Sequence, residues 1–203
     1  MTEKHTGKMR RLIAELPQLI LLITLILAAR STFADHYFVP TGSMEYTLMP
    51  GDRVFVDKSA YGFRIPFTNR DLIKRDPVGR GEIVIFDSPR DGTRLIKRIV
   101  AVGGDQVKME DGMLQINGLP LLDPNADLVE WFGERMAKLN LLHGGGPDIP
   151  PSIIPDGMVL AVGDHRGSSL DGRYFGLVPE SEIYGRAVAV YYRRGDGFVW
   201  KSL

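Results

Sequence analysis

Ser43 and Lys97 are the residues of this chain whose types and surroundings point to covalent chemistry. Ser43 lies in the run Val39-Pro-Thr-Gly-Ser-Met-Glu, and Lys97 in Thr93-Arg-Leu-Ile-Lys-Arg-Ile-Val-Ala-Val-Gly-Gly-Asp. A serine hydroxyl becomes a useful nucleophile only when a base takes its proton in the transition state. Histidine is the usual base, and the chain has four: His5, His36, His143 and His165. His165, near Asp164 and Asp171, leaves a Ser-His-Asp arrangement open. The Gly-x-Ser-x-Gly elbow is not present around Ser43, because Glu45 holds its last position. Ser-x-x-Lys fails as well, because Tyr46 stands where its lysine would be. Lys97 is the other candidate base. A strand over Thr93 to Val102 puts Thr93, Leu95, Lys97, Ile99 and Ala101 on one face. A lysine in that stripe is partly desolvated, which disfavours the ammonium. Lowering its pKa from about 10.4 to near 8 costs roughly 3 kcal/mol. The alternative is a lysine that snorkels to solvent from an edge strand.

The elements that must position this pair begin with an apolar stretch, Leu12 to Ala29, preceded by Lys4, Lys8, Arg10 and Arg11. At 1.5 Å per residue it spans roughly 27 Å, enough for a hydrocarbon core. The basic flank implies a cytoplasmic N-terminus and an exported remainder. A cleaved signal peptide is the competing reading, since the densest apolar part is short and Ala29 and Ala34 are small. Ser43 follows Ala29 by fourteen residues, at most about 50 Å of extended chain. It therefore works near the bilayer, where a peptide emerging from the membrane would be met.

Beyond Asp35 the pattern is mainly β. Arg53-Val-Phe-Val-Asp, Glu82-Ile-Val-Ile-Phe, Met158-Val-Leu-Ala-Val and Ala187-Val-Ala-Val-Tyr-Tyr are short runs bounded by Gly, Pro or Asp. Asp91-Gly92, Asp111-Gly112, Asn117-Gly118 and Asp156-Gly157 are turn dipeptides. Together they imply an antiparallel sandwich or barrel. Gln106 to Pro155 reads as a distinct segment. It opens with a meander through Val107-Lys-Met and Met113-Leu-Gln-Ile. Leu128, Phe132, Met136 and Leu139 then fit a helix over Asp127 to Leu142, ended by Gly144, Gly145 and Gly146, with an exposed loop as the alternative.

Composition narrows the function classes. The 203 residues carry a formal net charge of zero, which gives no electrostatic footprint for nucleic acid. The absence of cysteine excludes a thiol nucleophile, a disulfide framework and cysteine-based zinc sites. The sequence carries no metal-ligand motif of the His-Glu-x-x-His type.

Four runs, in order, resemble bacterial signal peptidase I, a membrane-bound Ser-Lys endopeptidase. They are Pro40-Thr-Gly-Ser-Met-Glu-Tyr-Thr-Leu-Met-Pro-Gly-Asp, Arg80-Gly-Glu-Ile-Val-Ile-Phe, Leu95-Ile-Lys-Arg-Ile-Val-Ala-Val-Gly-Gly-Asp and Gly163-Asp-His-Arg-Gly-Ser-Ser-Leu-Asp-Gly-Arg-Tyr-Phe-Gly. The resemblance implies Ser43 as nucleophile and Lys97 as general base. It implies an oxyanion hole from the Ser43 backbone N–H and the Thr41 hydroxyl, Ser169 orienting the base, and Asp171 and Arg173 as a supporting pair. Gly163 and Asp164 match the start of the last motif. No metal or organic cofactor is implied.

The resemblance also implies a layout: a cytoplasmic tail over 1–11, a transmembrane anchor over 12–30, a catalytic β core over 31–105 and 157–203, and an inserted β-rich segment over 106–156. The implied setting is the bacterial cytoplasmic membrane, crossed once, with the catalytic part on the outer side. The implied partners are the lipid bilayer and the signal peptides of secretory precursors, with small residues at the first and third positions before the cut. The sequence departs from the family at Tyr46, where a proline is usual, at His165 and Gly167, where Asn and Asp are more frequent, and at Gly172, usually serine. Two further readings are a repressor-type autoprotease, which shares the Ser-Lys pair but carries a DNA-binding domain, and a non-catalytic membrane-anchored β module. A specialised signal peptidase paralogue with a narrow substrate set is a variant of the main reading.

Overall fold

The computed structural model describes residues 15–24, 34–61 and 77–203. Residues 15–24 form helix α1. Leu16, Leu19, Ile20, Leu21, Leu22 and Ile23 are all exposed on it. Among the described residues no helix is long and apolar enough to cross a membrane. The rest of the expected anchor, residues 12–14 and 25–30, lies outside them, as does the expected tail over 1–11.

The remainder is mainly β and antiparallel throughout its named strand pairs. The strands are β1 (Ala34–Phe38), β2 (Arg53–Asp57), β3 (Ile83–Asp87), β4 (Arg94–Val102), β5 (Gln106–Glu110), β6 (Met113–Ile116) and β7 (Leu119–Pro120). They continue with β8 (Val129–Phe132), β9 (Arg135–Lys138), β10 (Ile149–Ile153), β11 (Met158–Val162), β12 (Val178–Pro179), β13 (Ile183–Arg193) and β14 (Gly197–Ser202). A short helix α2 (Gly172–Phe175) follows β11.

The main sheet runs β1-β2-β13-β3-β4-β11-β12, with β14 also paired to β13. Its centre is buried on both faces. β3 and most of β4 read as continuous buried runs rather than alternating ones. One face packs Val54, Val56, Ile83, Ile85 and Ile96 with Met44 and Leu48. The other packs Val84, Phe86, Ile99, Val159 and Ile183. Residues between these layers are thereby withdrawn from water, and Lys97 is one of them.

A four-stranded sheet, β10-β5-β6-β7, leans on the main sheet. Its Val107, Met109, Leu114 and Ile116 share a core with Val100, Ala101, Leu160 and Val162. The turn dipeptides set its register. Asp111-Gly112 and Asn117-Gly118 both adopt positive φ and join their strands through two-residue loops, the primed turns that match strand twist.

Residues 127–142 form neither the helix nor the exposed loop expected from the sequence. They hold the β8–β9 hairpin, with Val129 opposite Lys138 and Phe132 opposite Arg135. The physical reason is a period of two. Glu130 and Phe132 are buried while Trp131 between them is exposed, and Ala137 is buried beside exposed Met136. Gly133, at φ 68°, supplies the tight turn. The four residues matched to a helix do not share a face, since Met136 points to solvent while Phe132 and Leu139 are buried.

Candidate active site

Three segments meet at Ser43. The first is the loop between β1 and β2, residues 39–52. Its ends are pinned together by Val39 N–H to Asp52 O (2.9 Å) and Gly51 N–H to Val39 O (2.8 Å). Met44 and Leu48, both fully buried, plug it into the core like the side chains of an Ω-loop. The Asp52 carboxylate takes two hydrogen bonds from Arg193 of β13, at 3.0 and 2.6 Å. Ser43 is thus presented on a packed loop, only 8 % exposed.

The second segment is β4. Lys97 pairs in register with Val84 of β3 and is 3 % exposed. Its Nζ donates to Ser43 Oγ at 2.7 Å and to the Ile96 carbonyl at 3.1 Å. Burial pulls Lys97 down from an ordinary 10.5 to about 8, against the Asp171 and Asp164 carboxylates, which favour the ammonium. At pH 7 about a tenth of such an amine is neutral and able to act as a base, far more than for an ordinary lysine. Its neighbour Arg98 points to the other side, where it binds Asp164 through two hydrogen bonds of 2.9 and 2.8 Å, both groups buried.

The third segment, Gly163 to Asp171, leaves β11 and folds over the pair. Asp171 closes it by accepting from Gly163 N–H (3.0 Å) and by capping α2. Asp171 and Arg173 form a fully buried pair with two 2.8 Å bonds, from Nε and Nη2. The same guanidinium donates to the carbonyls of Gly145 and Arg166, both at 2.6 Å. This planar fork joins the insert to the loop.

Ser43, Lys97, Thr41, Asp171 and Arg173 therefore meet in one place. The Thr41 hydroxyl donates to Ser43 Oγ at 3.5 Å, the outer limit of a hydrogen bond. Ser169 is also there, though its hydroxyl does not reach Lys97. Ser169 Oγ is buried and without a hydrogen-bond partner. It lies against Gly163, where a Cβ would collide with both Ser169 Oγ and the Ser43 carbonyl oxygen. Tyr46, three residues past Ser43, is exposed and stacks under the Lys138 ammonium of β9, 5.6 Å from its ring centre.

Several site neighbours were not singled out as site residues from the sequence. Arg98 is one, although its place beside Lys97 and the alternation of strand faces could have suggested a buried partner. Glu130 and Arg166 form a fully buried pair that ties β8 to the third segment; a wrong period for residues 127–142 concealed it. Glu45 and Asn140 were also missed, and only the tertiary contact between the insert and the Ser43 loop brings them together.

The signal peptidase, peptidase S26, family model matches residues 12–192, nearly the whole chain. The chain belongs to the signal peptidase family. It is accordingly a serine endopeptidase. Similar proteins include a probable signal peptidase I-2 of Synechocystis, 31% identical over 176 residues that cover 83% of this chain and 68% of that protein. The signal peptidase I of Pseudomonas fluorescens is 31% identical over 196 residues, covering 84% and 69%. That of Bacillus licheniformis is 29% identical over 195 residues and covers 94% of each chain. All four runs that carry the signal peptidase resemblance lie within the matched residues.

Proposed function

We propose that the chain is a membrane-anchored endopeptidase that removes N-terminal signal peptides from exported precursors, with Ser43 as nucleophile and Lys97 as general base. The observation that carries this reading is the 2.7 Å contact between Ser43 Oγ and a buried Lys97 Nζ. A lysine with a pKa of about 8 takes the Ser43 proton as Oγ attacks the scissile carbonyl. The Ser43 N–H and the Thr41 hydroxyl stabilise the oxyanion. The lysine then gives its proton to the leaving amine, and water, deprotonated by the same amine, hydrolyses the ester.

Strand pairing supports an extended substrate. β11 pairs with β4 only from Arg98 to Val102, so Arg94 to Lys97 have no named strand partner on the side away from β3. A peptide added to that free edge would run past Lys97 towards Ser43. Successive side chains of an extended peptide alternate, so the first and third residues before the cut face the same wall. This is consistent with a requirement for small residues at both positions.

The basic N-terminal flank and the apolar, solvent-facing α1 support an anchor with the N-terminus in the cytoplasm and the β portion outside. The apolar segment behind basic residues favours this reading over a repressor-type autoprotease.

The test is incubation of the full chain, in detergent, with a panel of secretory precursors beside Ser43→Ala, and sequencing of the new N-termini. Cuts after small residues at positions one and three, absent with Ser43→Ala, are expected. Equal cleavage by Ser43→Ala overturns the assignment. For topology, protease added to intact spheroplasts should digest the β portion; its protection would refute the orientation.

A further inference from the structure

Against the Gly42–Ser43 backbone sits a polar cluster that the proposed reaction does not use. His165 lies in it with its side chain 7 % exposed, beside Glu45, Asn140 and His143. His165 is where the family more often has Asn. Its Nδ1 lies 3.2 Å from the Gly42 carbonyl oxygen and 3.4 Å from Glu45 Oε2. Its Nε2 lies 3.0 Å from His143 Nδ1. Its backbone N–H donates to the Ser43 carbonyl at 3.2 Å.

The tautomer follows from the partners. A carbonyl and a carboxylate only accept, so Nδ1 of His165 must carry a hydrogen. In the neutral ring Nε2 then accepts, and His143 Nδ1–H is the donor placed to serve it. The Gly42 carbonyl thus receives two hydrogen bonds, from His165 and from Glu45 N–H at 3.0 Å. The Gly42–Ser43 peptide is not among the cis bonds. In a planar trans unit the N–H points opposite to the C=O. Fixing the Gly42 carbonyl into the cluster therefore turns the Ser43 N–H away from it. That N–H makes no hydrogen bond among the described residues.

We propose that His165 is a positioning residue: its Nδ1–H, set by His143, holds the Gly42 carbonyl so that the Ser43 amide is aimed at the scissile carbonyl oxygen. The inference rests on the reading of Ser43 as the nucleophile. His165 touches neither substrate nor reacting atoms. It acts through one peptide plane, and so on the charge that develops in the transition state rather than on substrate binding.

The experiment compares full-length His165→Phe, His165→Asn, His143→Phe and Ser43→Ala on one precursor peptide, with thermal midpoints measured alongside. His165→Phe keeps the ring without the donor. Its kcat should fall about 10- to 100-fold with KM within about twofold of wild type, because an oxyanion donor is misaimed rather than removed. His165→Asn restores a donor and should recover to within about fivefold of wild type. His143→Phe should fall between the two. Affinity for a peptide aldehyde, whose hemiacetal oxygen mimics the oxyanion, should drop with kcat in His165→Phe, while affinity for the product peptide should not.

Wild-type kcat in His165→Phe, or equal losses in the Phe and Asn variants, overturns the inference. If His165→Phe does not fold, nitrogen-15 spectra of the wild-type ring decide: hydrogen on Nδ1 supports it, and hydrogen on Nε2 alone refutes it. Full cleavage by Ser43→Ala would instead remove the nucleophile assignment itself, an outcome separable from the others.

Discussion

Replacing Lys97 with methionine should abolish cleavage and stabilise the fold, by an amount that depends on pH in a defined way. Lys97 has a pKa of about 8 in the folded chain against 10.5 as an ordinary lysine. That difference corresponds to about 3 kcal/mol. Below about pH 8 both folded and unfolded chains hold the proton, and the cost of a buried ammonium is present in full. Between 8 and 10.5 the unfolded chain binds the proton more tightly, so wild-type stability rises with pH. Above 10.5 the amine is neutral in both states and the cost is gone. Lys97→Met has no such titration. The stability advantage of the variant over wild type should therefore shrink by about 3 kcal/mol between pH 7 and pH 11. Urea denaturation of both full-length proteins in the same detergent, at half-unit pH steps, measures it. Other titrating groups largely cancel in the difference. The kcat/KM of the wild type should rise about tenfold from pH 7 to pH 9, tracking the neutral amine. A pH-independent stability difference would refute the buried, shifted lysine, and with it the physical account of the base.

Three further outcomes are expected. Thr41→Val keeps the shape of the side chain and removes its hydroxyl; kcat should fall about 10²-fold with little change in KM, and an unchanged kcat removes Thr41 from the oxyanion hole. Gly163→Ala drives a methyl group against the Ser43 carbonyl and Ser169. It should cost about 1–3 kcal/mol of stability and at least a hundredfold in kcat, and wild-type turnover would show that the close approach is not needed. Glu130→Ala leaves the Arg166 guanidinium buried without its carboxylate and strands the Leu114 N–H. The loss should be about 3–5 kcal/mol, lowering Tm by roughly 10 °C, and a shift under about 2 °C would count against the pair as a structural tie.

The sequence disclosed the β architecture through its short β-branched runs and its turn dipeptides. Asp111-Gly112 and Asn117-Gly118 marked their hairpins because positive φ leaves few residue choices. Lys97 and its partial desolvation were legible by strand phase, but the depth of its burial was not. Strand phase gives a face, whereas the depth of burial comes from β3 alongside and from the layers above and below. The β8–β9 hairpin was misread because Leu128, Phe132 and Leu139, three of the four residues matched to a helix, reach one core from a hairpin as well, and only Met136 falls on the other face. The Glu130–Arg166 pair was hidden for the same reason. Ser169 shows a different limit. Its motif implies a hydroxyl that orients Lys97, whereas the packed loop sets that hydroxyl, unpartnered, against Gly163, and no motif says which rotamer a packed loop will hold.

The tie between Asp52 and Arg193 has a consequence for when the site comes into existence. Ser43 and Lys97 both lie in the first half of the chain, but the loop that carries Ser43 is held by a strand made almost last. A chain still emerging from the ribosome holds both reactive groups without β13 to seat the loop, and without Gly163 to Asp171 to cover the lysine. Until those residues are added, Lys97 stays hydrated and protonated and Ser43 sits on an unclosed loop. The order of synthesis thus works as a timer. The reactive pair is therefore completed only when the last strands of the main sheet are in place.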